Sequence, residues 1–370
     1  MTPQFSRRDF LATTAGIGAL AAGAQNLPSI DSVRKAWLGL LGGFPEAPPL
    51  DAEMTARDPI GGIPAWHVRF RSEGDDWVTA YLLVPEDRSG ADEGTPRPAV
   101  VCPHSTTGGA GKNRIVGLAG STPGSEPDPP ETSRAYGLEL ARWGYIVLAL
   151  DLLTDGERVP EGLPPYNSTR FYEQHPGWSM MGKNTWDMRR SMDFMRSLDF
   201  VDHDRIACCG HSLGGHTSLF GAAFDDRYAA CVSNGGALDW RRSEEHWSRK
   251  PDPEGRSVAS YVYIPNFRPY IDDPALPVPA DFDGLMRLCA PRPLMVMESA
   301  GEFRTNKTAS KYMRALTTYH EAGTTDRFGL FTYPGGHNFP PVAKRHAFNW
   351  LDRWLGHTTA VPTIWPDKTL

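Results

Sequence analysis

Cysteine is scarce, with five in 370 residues, and no two of them form a C-x-x-C pair. An odd, scattered set does not make a disulfide framework. Cys102, Cys208, Cys209, Cys231 and Cys289 fall mostly in short apolar runs, where cysteine behaves as a small apolar residue. Free, buried thiols are therefore expected. There is no H-E-x-x-H, no histidine and cysteine group at zinc spacing and no calcium loop, so no metal is implied. There is no G-x-G-x-x-G, so no dinucleotide cofactor is implied either, and no cofactor is expected. The chain has no long basic run and a formal net charge of -6, which argues against nucleic acid as a partner. Internal repeats and sustained heptads are also missing. The apolar stretch Leu11–Ala24 is too short and too rich in alanine and glycine to span a membrane stably.

That stretch has another meaning. Ser6-Arg7-Arg8-Asp9-Phe10-Leu11 matches the twin-arginine export pattern, and Ala22-Gly23-Ala24 supplies a small-residue cleavage site. Residues 1–24 are expected to be a signal peptide, and the mature protein to work in the periplasm or outside the cell. Residues 25–60 are expected to be an N-terminal extension, 61–357 one large domain, and 358–370 a tail. An apolar content of 40% gives so long a domain ample core.

The centre of the chain is Arg205–Phe224. A buried-strand run, Ile206–Cys209, enters a sharp turn, Gly210-His211-Ser212-Leu213-Gly214, and an apolar, helix-compatible run follows. This is G-x-S-x-G in a strand–turn–helix setting. A serine at the tip of such a turn has strained backbone angles, and only glycine fits beside it. The helix N-terminus behind Ser212 points its amides and positive dipole end at the hydroxyl.

Around this centre, apolar strands alternate with helices. Two antiparallel strands are expected at Ala65–Arg71 and Trp77–Val84. Pro98–Pro103 and Tyr145–Leu150 read as strands covered on both faces, and Ala229–Ser233, Pro293–Met297 and Phe328–Tyr333 as further strands. Helices are expected at Ser32–Leu41, Glu131–Trp143, Asn184–Leu198, Lys307–Glu321 and Pro341–Leu355. The fold class is α/β, with a mostly parallel central sheet, helices on both faces and two long insertions at about 155–183 and 234–290.

A serine hydroxyl needs a base, and the base needs an orienting acid. His337, in Tyr333-Pro-Gly-Gly-His-Asn-Phe after the last strand, is the candidate base. His211 and His216 beside the turn are expected to pack or bond locally, and His104 to line a neighbouring loop. For the acid the sequence leaves Glu302, Glu298 and Asp239 open, with Glu302 preferred because it follows the strand Pro293–Met297 by a short loop. An oxyanion would be held by the amide of Leu213 and that of Ser105 or Thr106, in the loop leaving the first central strand.

These residues resemble the α/β-hydrolase superfamily, and more narrowly its dienelactone-hydrolase-like and acetyl-xylan-esterase-like branch. The likeness rests on Asp187–Asp193 leading through Val201–Ile206 into Gly210–Gly215, on Gly335-Gly336-His337, and on Tyr81–Pro85. It implies an α/β-hydrolase fold and a cofactor-free Ser–His–acid enzyme acting on an ester substrate, with carbohydrate-linked esters among the candidates. The sequence departs from that branch at His104-Ser105, where His-Gly is usual, and at the acid, where aspartate is usual. A prolyl-oligopeptidase-like peptidase is the alternative enzyme, but no propeller-sized segment precedes Pro98. A catalytically silent binding protein is the alternative from another class.

Overall fold

The computed structural model describes residues 27–86, 94–120, 126–129, 133–237, 263–306 and 308–357. The expected signal peptide, the expected tail and Asp239 lie outside the described residues. Nine strands form one sheet: β1 (Glu53–Ile60), β2 (Ile63–Glu73), β3 (Asp76–Leu83), β4 (Arg97–Pro103), β5 (Ile146–Leu150), β6 (Val201–His211), β7 (Ala230–Asn234), β8 (Leu294–Ser299) and β9 (Phe328–Tyr333). Their order is β1-β2-β3-β5-β4-β6-β7-β8-β9. The first three strands run antiparallel to their neighbours, and every pair from β5 through β9 is parallel. The mostly parallel α/β sheet expected from the sequence is present.

Parallel strands need covered faces, and the side-chain alternation shows how this one is covered. Ala99, Val101, Ile206 and Cys208 point into one apolar cluster. Helices α1 (Ile30–Leu41), α3 (Met180–Met195), α4 (Leu213–Phe224), α5 (Phe282–Cys289) and α7 (Ala309–Glu321) close that face. Val100, Cys102, Ala207 and Cys209 point the other way, under α2 (Tyr136–Arg142) and α8 (Pro341–Leu355). Helix α6 (Ala300–Asn306) follows β8 at its C-terminal end. All five cysteines are buried and free.

Three boundaries differ from the sequence expectation. Residues 25–60 are not a mere extension. Strand β1 pairs with β2, and α1 sinks Trp37 fully into the core against Phe220, Phe267 and Phe282, with ring centroids 5.1–6.2 Å apart. Alternating polar residues in β1 hid a strand whose side chains are mostly exposed. Helix α5 lies inside the expected insertion 234–290, yet it packs Phe282, Leu285 and Met286 into the main core. The expected helix Lys307–Glu321 is preceded by a separate helix, α6, and this break positions an acid described below.

Candidate active site

The turn between β6 and α4 places Ser212 at φ 57°, ψ -121°, a conformation few non-glycine residues adopt. A side chain on Gly210 would run into the carbonyl of Gly214, and one on Gly214 into the carbonyl of Pro103. Both glycines are therefore required by close approach, and the second seats the start of α4 against the exit of β4. The strain is held by neighbours: Ser212 N–H donates to the Asn234 carbonyl at 2.8 Å, and the Ser212 carbonyl accepts from His216 N–H at 2.9 Å.

His337 comes from the loop between β9 and α8. Its Nε2 lies 2.6 Å from Ser212 Oγ, and its Nδ1 lies 2.5 Å from Glu302 Oε1. The other Glu302 oxygen accepts from Ser299 Oγ at 3.1 Å, and Glu302 N–H donates to the same hydroxyl at 3.2 Å. Burial pushes the Glu302 carboxyl up, but the imidazole beside it and the bonds from Ser299 outweigh burial and hold it below the usual carboxylate range. The ring sits over Gly235, whose absent side chain leaves it room. Asn234 ties the loop down: its side-chain amide donates to the Asn338 carbonyl at 2.9 Å, and its oxygen accepts from Tyr333 at 2.8 Å.

Of the three candidate acids, the structure brings Glu302 to His337. Glu298 turns the other way, into the face closed by α7. It is fully buried, and Thr308 Oγ1 donates to its Oε2 at 2.8 Å. Its Oε1 has no hydrogen-bond partner among the described residues, and burial without a cation pushes the group up to about 7. Asp239 lies outside the described residues.

The loop after β4 is braced from below. Tyr166 OH accepts from the amides of Thr107 and Gly108, and Asp155 accepts from Gly109 N–H at 2.7 Å and Thr107 Oγ1 at 2.5 Å. The amides of Ser105 and Thr106 are not among those so used. Ser105 is fully buried and Thr106 is exposed. His104 lies behind the loop, where its Nε2 accepts from Leu152 N–H at 3.0 Å and its Nδ1 contacts the Ser105 carbonyl at 2.6 Å. His216 bonds locally to the Gly236 carbonyl at 2.7 Å. His211 packs against His337 with ring centroids 4.7 Å apart.

Asn234, Asp155 and Arg134 were not singled out in the sequence. Asn234 could have been found, since a polar residue closing an apolar strand next to the serine turn has no core role. The other two are distant in sequence from the groups they support.

The sheet order, the strained serine after β6 and the histidine after β9 define the class of fold: it is the α/β-hydrolase fold, shared with the solved structures that the chain resembles. Within that class, residues 166–323 match the family model for fungal glucuronyl esterases. YtaP of Bacillus subtilis, described as a hydrolase, is 25% identical over 324 residues, covering 87% of this chain and 98% of that protein. Carbohydrate esterase MZ0003, from an unknown prokaryote, is 29% identical over 166 residues, 41% of this chain and 37% of that protein. In structure, a promiscuous CE15 esterase from a marine bacterial metagenome superposes with a TM-score of 0.63 at 18% identity, covering 88% of this chain and 91% of that one. Among the described residues no group of His, Cys, Asp and Glu could hold a metal, and no helix is long and apolar enough to cross a membrane.

Proposed function

We propose that this chain is an exported serine esterase that cleaves a carboxylic ester of a carbohydrate or plant polymer through Ser212, His337 and Glu302. The observation that carries the reading is the continuous contact from Ser212 Oγ to His337 Nε2 (2.6 Å) and from Nδ1 to Glu302 (2.5 Å). In this reading His337 removes the hydroxyl proton as Oγ attacks the carbonyl carbon, and Glu302 holds the ring and stabilises its charged form. The amide of Leu213, with that of Ser105 or Thr106, donates to the oxyanion. The alcohol leaves with the proton from His337, and an acyl-enzyme remains. His337 then activates water, and the acid is released. The match to glucuronyl esterases and the likeness to carbohydrate esterase MZ0003 support a sugar-linked ester, with a uronic acid ester as the first to try. The twin-arginine pattern of residues 6–11 supports export to the periplasm or beyond.

The test is an ester panel: p-nitrophenyl acetate, acetylated xylan, a methyl glucuronate ester and a feruloyl ester, each with the parent and Ser212→Ala. Hydrolysis of a sugar-linked ester that disappears in the variant is the expected result. A variant that still cleaves p-nitrophenyl acetate at the parent rate would sink the nucleophile assignment.

A further inference from the structure

Arg134 lies beside the candidate triad within the field of a second cation, Arg114, with one carboxylate among the described residues to balance the two. Arg134 precedes α2 and is half-buried. One of its terminal nitrogens donates to the His337 carbonyl at 3.2 Å. Arg114, in the single helical turn Lys112–Ile115, is buried. It reaches Asp128 at 3.4 Å, a long contact, while its Nε is buried with no hydrogen-bond partner among the described residues. Burial and the opposing charge of Arg114 both disfavour the Arg134 cation.

Among the described residues, the groups that face this pair are few. Asp128 is the carboxylate acting on Arg134 among the described residues. Tyr136 and Tyr333 face it as hydroxyls, each already donating elsewhere: Tyr136 to Pro103, Tyr333 through its one hydrogen shared between the Asn234 oxygen and the Asn338 carbonyl. Lys344 reaches the neighbouring Ser133 carbonyl, but Glu139 takes its charge at 2.6 Å. His211 lies within range of both arginines and is fully buried. Its Nδ1 is taken by the Asn234 amide at 2.9 Å, and its Nε2 has no partner among the described residues. Two cations, one carboxylate and two unpartnered buried nitrogens thus converge one residue from the nucleophile and at the carbonyl of the base. An arriving carboxylate would relieve the repulsion between the guanidiniums and accept a bidentate bond from Arg134.

We propose that Arg134, backed by Arg114, is a carboxylate-binding subsite, so that the preferred ester bears a free carboxylate close to the scissile carbonyl. A neutral ester whose polymer neighbour is a uronic acid has this form. The proposal rests on the serine-esterase reading for its substrate, but its charge requirement is measured separately.

The probes are 4-acetoxybenzoate and its methyl ester, which share an acetyl group and differ in one negative charge. The parent should prefer the charged ester by kcat/KM. Arg134→Gln should reduce the charged-to-neutral ratio about tenfold, the size of one partly desolvated charge pair. Arg134→Lys should keep most of the preference, and added salt should shrink it in the parent. If Arg134→Gln lowers both esters in parallel, the residue only steadies the His337 loop and the subsite is wrong. A parent with no preference for the charged ester also overturns it. A second readout does not need turnover: 4-acetoxybenzoate titrated calorimetrically into folded Ser212→Ala should bind saturably, and adding Arg134→Gln should remove that binding. No saturable binding to Ser212→Ala overturns the subsite. Ser212→Ala that still hydrolyses either probe would instead sink the esterase reading, while the ratio continues to judge the subsite.

Discussion

Carboxyl groups in two regions of this molecule meet opposite fates. On the face closed by α3, Lys183 reaches Asp187 at 2.5 Å, Asp76 at 2.6 Å and Ser72 at 2.7 Å, and Arg158 bonds the same two carboxylates at 2.7 Å each. Asp187 and both cations are nearly inaccessible, and every charge has a partner. Burial pushes Asp76 up, but the two cations outweigh it and hold it down at about 2. At the other end of the sheet, the partners of the Glu302 carboxylate among the described residues are the imidazole of His337 and the Ser299 hydroxyl, and His337 is 42% exposed. Glu298, four residues before it, has no cation among the described residues. A carboxylate locked between fixed cations serves the fold. One paired with a ring that can gain and lose a proton, and that faces outward to a hydroxyl, is available for chemistry.

The difference can be tested from its strongest side first. Ser212→Ala should lower kcat on any substrate found by about 10³ to 10⁶, measured against the parent with unchanged thermal stability. Glu302→Gln keeps the shape but loses the charge that orients His337, so kcat should fall by about 10² to 10⁴ while a fluorophosphonate still labels Ser212 more slowly. An unchanged rate would mean that another carboxylate, Asp239 foremost, holds the ring.

Lys183→Met should do the reverse, acting on stability. It leaves Asp187 buried with one cation fewer, and denaturant unfolding should show a loss of about 3–5 kcal/mol. A loss below about 1 kcal/mol would show that Arg158 alone suffices.

The smallest effect concerns Glu298. Its folded-state value is raised from 4.5 to about 7, so the native chain keeps a proton that the unfolded chain releases between those values. Stability from this group is fully present below about pH 4.5 and is lost as pH rises through 7. Glu298→Gln should therefore be more stable than the parent at pH 8, by about 3 kcal/mol, and nearly equal to it near pH 4.5. A stability gap that does not change with pH would remove titration as the cause.

Much of the fold was legible because parallel strands buried on both faces read as continuous apolar runs, and five of them stand out between helical stretches. Strand β1 was not legible, because an edge strand with mostly exposed side chains has no apolar signature. Trp37 and α5 were misjudged as peripheral, since nothing local reveals that a short helix fills a gap between others. The order in the chain of serine, acid and histidine made Ser212 and His337 visible, and it narrowed the acid to three residues.

By itself the sequence determined the turn at Ser212, where Gly210 and Gly214 are the residues that its close contacts permit, and the alternation that buries β4 through β8. Only the tertiary structure decided between Glu298 and Glu302. The two differ by four residues and by no local signal. The break between α6 and α7 turns one carboxyl toward His337 and the other into the core. The tertiary structure also set Arg134 against the His337 carbonyl, within the field of Arg114, because charges far apart in the chain acquire a common field only when the sheet that carries their loops has closed.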